Sequence, residues 1–452
     1  MRGGGLSSTV DLPSLAGLER LNGPAHRPIA VAVSGGGDSL ALLLLAAAWA
    51  ESAGRRLVAL TVDHALQPRS ADWAGFAAER AARLAVPHRT LVWTGPKPTS
   101  GLPAAARRAR HALLADAARE AGAAVILMAH TADDVAEAAA MRAAGSTTPS
   151  PVLWTPSPAW PEGRGVFLLR PLLGNRRADL RRFLAARGEA WIDDPANDDL
   201  RFARTQARRR LGACAGAPST SVVARQPPAA LASVSEGPGG DLTLPRAALA
   251  AAPPDECRRL LGALALCAAG TTRPPPAAAL DRLAARLAGQ GVFAATLAGA
   301  RIEAGRDFVR VCREAGERAR GGLAEADLQD GEAVFDGRFV VRAPGPAIVA
   351  RLAGRARRLP PDQRRRLAAI PPAVRGALPV VVADGDLSCP LLAPERDATA
   401  FSMTLGRLRA ALGAVVDEAG AAATPAQETR VSRDLAPGVV VARSEINLGR
   451  LN

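Results

Sequence analysis

The segment AVILMAHTADDVAEAAAMRAAGS (Ala124–Ser146) places His130, Asp133, Asp134 and Glu137 within eight residues. It opens as an apolar strand and turns polar, so the four side chains fall where a strand gives way to a helix. Asp134 and Glu137 are three apart, and Asp133 and Glu137 four apart, so they share one helix face. Carboxylates on one face attract a cation and can take a proton from an ammonium group. A plainer explanation stands beside that one. The helix dipole favours acids in a first turn, which accounts for Asp133 and Asp134 better than for Glu137. A histidine at a strand end is often a satisfied core residue.

A second motif, SGGGDS (Ser34–Ser39), follows the apolar run Pro28–Val33. Gly35, Gly36 and Gly37 allow close backbone approach to a phosphate, and the following helix offers its N-terminal N–H groups. Ser34 and Ser39 add hydroxyl donors. Asp38 cannot hold phosphate itself; it suits a Mg²⁺ that bridges phosphate oxygens. No G-K-[ST] follows and no G-x-G-x-x-G is present, so this is neither a Walker loop nor a dinucleotide fingerprint. A glycine-rich strand-to-helix turn is the bland alternative.

Both motifs need a scaffold, and the first ~200 residues supply the pattern of one. Strand-like runs at Pro28–Val33, Leu57–Val62, Arg89–Trp93, Ala124–Ala129 and Val166–Leu173 alternate with helical runs. The helical runs extend to about Trp49, then cover Ser70–Leu84, Pro103–Glu120, Asp133–Ala143, Arg176–Arg187 and Arg201–Leu211. That alternation predicts an α/β fold, a Rossmann-like parallel sheet with helices on both faces, followed by smaller accessory domains. The expected boundaries are a catalytic domain at 1–211, a Pro/Gly-rich linker at 212–241, and a mainly helical accessory domain at 242–330. A small α/β domain at 331–400 and a tail at 401–452 with one helix, Thr404–Ala419, complete the chain. Hairpins are expected in ARIEAGRDFVRVC and AVFDGRFVV, and a strand with a D-G turn in LPVVVADGDL.

The composition narrows the partners. The chain has 452 residues and a net charge of +14, with no tyrosine. Lys97 is the sole lysine, so the positive charge is nearly all arginine. Arginine forks suit phosphate, and a basic surface suits nucleic acid, although GC-rich coding would also raise arginine. The five cysteines are scattered with no C-x-x-C pair, which argues against a zinc or redox motif and fits an intracellular, cytoplasmic protein. The longest apolar run, Leu40–Ala50, is too short to span a bilayer.

SGGGDS resembles the SGG-x-DS loop of the N-type ATP pyrophosphatases, which split ATP to AMP and pyrophosphate. Sulfur-inserting members carry cysteine pairs, whereas this chain has no cysteine before Cys214. An amine nucleophile fits better. VDHALQPRSADWA (Val62–Ala74) is similar to the D-H-x-L-R-x-x-S segment of the tRNA(Ile)-lysidine synthases, and ARRARH (Ala106–His111) to their A-R-x-x-R-Y. The H-T-x-D-D-x-x-E pattern of His130–Glu137 and the block Arg170–Leu211 resemble two further motifs, in the same order.

That resemblance implies ATP-dependent ligation of free lysine to C2 of the wobble cytidine in the CAU anticodon of tRNA(Ile), through an adenylated cytidine. The implied catalytic residues are His130, Asp134, Glu137, Arg107 and Arg208. Asp134 and Glu137 would hold the lysine. Ser34, Gly35, Gly36, Gly37, Asp38, Ser39, Asp63 and His64 would bind ATP, with Asp38 on Mg²⁺. Arg107 and Arg110 would neutralise phosphate. Arg201, Arg204 and Arg208 recur at three and four, so they form one helix stripe that would meet the tRNA. Expected partners are this tRNA and free lysine, with a homodimer left open and no membrane. Val135, Ala138, Ala196 and His111 stand where the family pattern has Gln, Thr, Ser and Tyr, and AAGS (Ala143–Ser146) lacks an expected Arg. Another amine-using ligase of the group and a non-catalytic nucleotide- or RNA-binding module are the rival readings.

Overall fold

The structure, a computed structural model, describes residues 13–146, 148–193, 206–207, 226–289, 291–317, 323–328, 331–393 and 398–423. These fall into two compact units. The first takes the described residues up to 207 together with Val416–Ala423; the second takes those from 226 to 415.

The first unit runs β1 (Ile29–Ala32), α1 (Gly37–Ser52), β2 (Leu57–Asp63), α2 (Ser70–Arg83), β3 (His88–Val92) and α3 (Leu102–Glu120). It continues with β4 (Val125–Leu127), α4 (Ala132–Ala143), β5 (Trp154–Pro156), β6 (Phe167–Leu169) and α5 (Arg177–Ala185). The strand order is β3-β2-β1-β4-β6-β5, parallel throughout except for the β5–β6 pair. Central strands buried on both faces read as unbroken apolar runs, and IAVA and VIL do so. On one face α3 packs Ala105, Ala109, Leu113 and Leu114 against Ala30, Leu60 and Ile126. The alternate positions Ile29 and Val31 are equally buried. Helix α1 packs on β1 and β2, with α2 and α5 as its neighbours.

The chain leaves β1 toward β2 and β3, then returns through α3 to β4 on the other side of β1. The C-terminal ends of β1 and β4 therefore meet at the sheet's switch point, where open α/β sheets bind ligands. Edge strand β5 had no counterpart in the sequence reading; it is three residues ending in a proline, which an edge strand tolerates. The expected strand Val166–Leu173 is shortened to β6, and its last residues turn toward α5.

In the first unit the chain also closes on itself. The short helix α12 (Glu418–Ala422) is capped by the Asp417 side chain, which accepts from the Gly420 N–H at 2.9 Å. The fully buried Glu418 pairs with Arg55 at 2.8 Å and accepts from the Gly23 N–H at 2.9 Å.

The second unit holds three antiparallel sheets. The first has the order β7-β8-β11-β10-β9, from β7 (Ser235–Glu236), β8 (Leu242–Pro245), β9 (Phe293–Leu297), β10 (Ala300–Ala304) and β11 (Phe308–Arg313). Helices α6 (Arg246–Ala250), α7 (Pro254–Ala268) and α8 (Ala277–Ala288) accompany it, so 242–330 carries a sheet as well as helices. Residues 226–241, inside the stretch expected as linker, contain a 3₁₀ turn and β7, because Leu231 and Val234 pack into this core. The other sheets are β12-β15-β16-β17 and β13-β14-β18. Their strands are β12 (Ala326–Asp327), β13 (Glu332–Phe335), β14 (Phe339–Arg342), β15 (Ile348–Arg351), β16 (Pro379–Ala383), β17 (Asp386–Ser388) and β18 (Thr399–Ser402). Both expected hairpins form, β10–β11 and β13–β14, and the strand with the D-G turn pairs back as β16–β17. Both D-G turns place their Asp and Gly at positive φ, as two-residue hairpin loops of this twist require. Helices α9 (Pro361–Leu367) and α10 (Pro372–Arg375) precede β16. The helix expected over Thr404–Ala419 is instead α11 (Thr404–Ala411), with Gly413 at φ +84° just beyond its end. No helix among the described residues is long and apolar enough to cross a membrane.

Candidate active site

The glycine loop connects β1 to α1. Gly35 adopts φ +84°, and a Cβ there would lie 2.6 Å from the Ile192 side chain. The positive φ favours glycine at this position, whereas the Ile192 methyl is the end of a side chain that can shift. Gly36 and Gly37 would meet only ordinary contacts on gaining a Cβ. The Ile192 N–H donates to the Gly35 carbonyl at 3.0 Å, so the segment after α5 is laced onto the loop. Ser39 Oγ accepts from the Ser34 N–H at 3.1 Å and donates to the Gly36 carbonyl at 2.9 Å. Ser34 and Ser39 therefore brace the loop from within.

At the end of β4, Thr131 caps α4 and its N–H donates to Asp134 Oδ2 at 2.8 Å. Asp133 accepts from the Arg177 backbone N–H at 2.8 Å, at the start of α5. The helix-start explanation thus accounts for Asp133 and one oxygen of Asp134. It leaves Glu137, which is 1% exposed, without a capping role.

Arg177 lies among these acids. Its Nε donates to Asp38 Oδ2 at 3.0 Å, Nη1 lies 3.3 Å from Glu137 Oε1, and Nη2 lies 3.6 Å from Asp134 Oδ1. The structure therefore joins the acid of the glycine loop to the acids of α4 through one guanidinium. Burial raises the Asp38 carboxyl above the usual range although Arg177 pulls it down. Burial also works against the charge on Arg177, but Asp38, Asp134 and Glu137 outweigh it and raise its pKa. The arginine stays charged.

A basic cluster lies on the other side of His130. Arg170 donates through Nε to His130 Nδ1 at 3.2 Å, and through Nη1 to the Val152 carbonyl at 2.8 Å. Accepting at Nδ1 assigns the neutral ring's proton to Nε2. Burial and Arg107 bring the Arg170 pKa down to about 10. His111 is buried on α3 with no partner for Nε2. Burial, then Arg110, Arg107, Arg170 and His130, push its pKa down to about 2, so it is neutral. Asp63 and His64 end β2, where Asp63 Oδ1 accepts from the Ala65 N–H at 2.7 Å. His64 stands edge-on to Trp93 with ring centres 6.0 Å apart. Burial, then Arg110, lower its pKa to about 4.

Arg201, Arg204 and Arg208 lie outside the described residues. In the sequence Arg170 has no individual role, and Arg177 reads only as an extension, with Arg176, Arg181 and Arg182, of a tRNA-facing basic surface, although both belong to the quoted block Arg170–Leu211. Their spacing pointed to no partner, because His130, Asp38 and Glu137 lie far away along the chain. Among the described residues no group of three or more His, Cys, Asp or Glu is arranged to hold a metal. Mg²⁺ commonly takes one or two carboxylates and completes its shell with phosphate oxygens and water. Asp38, on the glycine loop with its side chain 24% exposed, fits that donor set.

Residues 15–214 match the family model described as a PP-loop domain. The chain is 48% identical over 414 residues to a tRNA(Ile)-lysidine synthase of Caulobacter vibrioides, covering 89% of this chain and 98% of the relative. It is 41% identical to that of Hyphomonas neptunium, over 64% of this chain and 82% of the relative. A Bradyrhizobium sp. enzyme of the same name is 36% identical over 68% of this chain and 96% of its own length. Identities of 36–48% over 82–98% of these relatives' lengths lead to one conclusion: this chain is a ligase belonging to the tRNA(Ile)-lysidine synthase family.

Proposed function

We propose that this enzyme uses ATP to adenylate C2 of the wobble cytidine in the CAU anticodon of tRNA(Ile), then lets the ε-amine of free lysine displace AMP. The products are lysidine, AMP and pyrophosphate. One observation carries the reading: Asp134 and Glu137, beside the glycine loop, already hold an alkyl cation in the form of Arg177. A pocket that accepts a guanidinium on two carboxylates has the chemistry to accept an ammonium.

The roles follow from charge. The backbone of Gly36 and Gly37 and the first N–H groups of α1 receive ATP phosphates, and the absence of side chains there leaves room for them. Arg107, Arg170 and His130 offset the charge that develops as pyrophosphate departs. Mg²⁺, held by Asp38, would supply further neutralisation of the phosphate oxygens. A lysine side chain with a pKa of about 10.4 arrives protonated. Glu137, buried and acidic, attracts that ammonium, and Asp134 or Glu137 takes the proton before attack. Asp63 and His64 face the nucleoside part of ATP. Arg201, Arg204 and Arg208 bind the tRNA backbone near the anticodon.

Exchange of labelled pyrophosphate into ATP tests the first half-reaction. Exchange that needs an anticodon stem-loop with CAU supports the proposal. Exchange indifferent to RNA points to a small-acid ligase, and no AMP under any condition points to a binding module.

A further inference from the structure

The three carboxylates assigned above to lysine and Mg²⁺ are bridged by a cation belonging to the chain itself. We propose that Arg177 is a resident placeholder: its guanidinium occupies the acidic pocket until the substrate ammonium displaces it, so lysine binds by exchange. The proposal rests on the functional reading of Asp134 and Glu137 given above.

Four features support exchange over a fixed structural role. First, among the described residues the Arg177 guanidinium takes only carboxylates, from Asp38, Asp134 and Glu137, and no backbone carbonyl. Arg246 in the second unit is the contrast, with Nε on the Leu287 carbonyl at 2.9 Å and Nη1 on the Gly291 and Gly305 carbonyls at 2.9 and 2.7 Å. A carbonyl offers only a partial charge, whereas a carboxylate carries the full charge that an ammonium would also seek. Second, the contacts to Asp134 and Glu137 are the long ones, 3.6 and 3.3 Å, and an ammonium on its own flexible stem can shorten them. Third, the backbone of Arg177 stays anchored through its N–H on Asp133, so departure needs only side-chain rotation. Fourth, the side chain is 19% exposed, which leaves it a route outward.

The placeholder solves a physical problem. Three clustered acids repel one another, and the Arg177 guanidinium contributes positive charge among them. A compact ammonium and a planar guanidinium differ in shape and hydration, so exchange also selects for a ligand that outcompetes Arg177.

The test is calorimetric titration of lysine into the nucleotide-free full chain, wild type against Arg177→Met, with lysidine formation by the wild type assayed alongside. Removing a competitor that fills the pocket lowers the apparent Kd for lysine by about tenfold or more. Should Arg177→Met fail to fold, Arg177→Lys and the ¹⁵Nε signal of Arg177 in the wild type replace it. Lysine is then expected to shift that signal from an ion-paired to a solvated position. A wild type that makes lysidine while Kd is unchanged or weakened by the substitution, or while lysine saturates without moving the Arg177 signal, overturns the placeholder alone. A wild type that neither binds lysine nor makes lysidine overturns the functional reading beneath it.

Discussion

A buried arginine, Arg246, and a half-buried one, Arg177, hold opposite kinds of partner. Arg246, 6% exposed, is ringed by main-chain carbonyls of the second unit. Arg177 is ringed by the carboxylates of the first unit's strand-end site. A carbonyl carries only a partial charge and cannot titrate, so the first arrangement is a permanent clasp that closes the loops after α8 and β10. A carboxylate is a full charge that any cation can neutralise, so the second arrangement is an ion pair open to competition. For these two arginines, partner chemistry separates a structural clasp from a cation seated at the site.

That contrast can be broken most severely at Arg246. Arg246→Ala orphans several buried carbonyls and is expected to destabilise the protein by about 3–5 kcal/mol. Denaturant unfolding reads that loss, which added lysine or guanidinium does not restore. Arg177→Met has a smaller expected effect, about 1–3 kcal/mol at low ionic strength. Here the deficit shrinks with salt or added lysine, because both supply the missing positive charge. Equal, unrescued losses at the two positions would erase the distinction.

The smallest effect concerns the neutral member of the basic cluster. The unfolded chain protonates His111 near pH 6.5, whereas the folded one resists protonation down to about 2. The unfolded state therefore binds more protons across that window, and folding stability falls as pH drops below 6.5. The slope from one such group is at most about 1.4 kcal/mol per pH unit. His111→Phe removes it, so unfolding curves collected between about pH 7 and 5 are expected to show a shallower decline. An unchanged slope would place the acid sensitivity elsewhere.

What the sequence made legible follows from the range of the interactions. The glycine loop, the capped start of α4 and the D-G hairpins are local, and their residues announce them. The order of the parallel strands follows from alternation and short connections. The meeting of Asp38, Glu137 and Arg177 does not. Arg177 reaches Asp38 across 139 positions, and only the switch point between β1 and β4 brings them together. Residues 226–241 misled for a related reason: their Pro and Gly content resembles a linker, while two apolar side chains, Leu231 and Val234, decide where they pack. Strand β9, FAATL, was missed because alanine carries little strand signal and its turn uses Ala298 at φ +54° ahead of Gly299.

The central claim is that the acids of α4 deliver lysine to RNA. It is tested most directly by incubating the full chain with ATP, Mg²⁺, labelled lysine and unmodified tRNA(Ile), then counting label in the RNA. The wild type is expected to incorporate label with release of AMP, and Glu137→Ala, folded as judged by circular dichroism, to lose at least about a hundredfold in rate. Absence of label from the wild type, or undiminished incorporation by Glu137→Ala, would contradict the account.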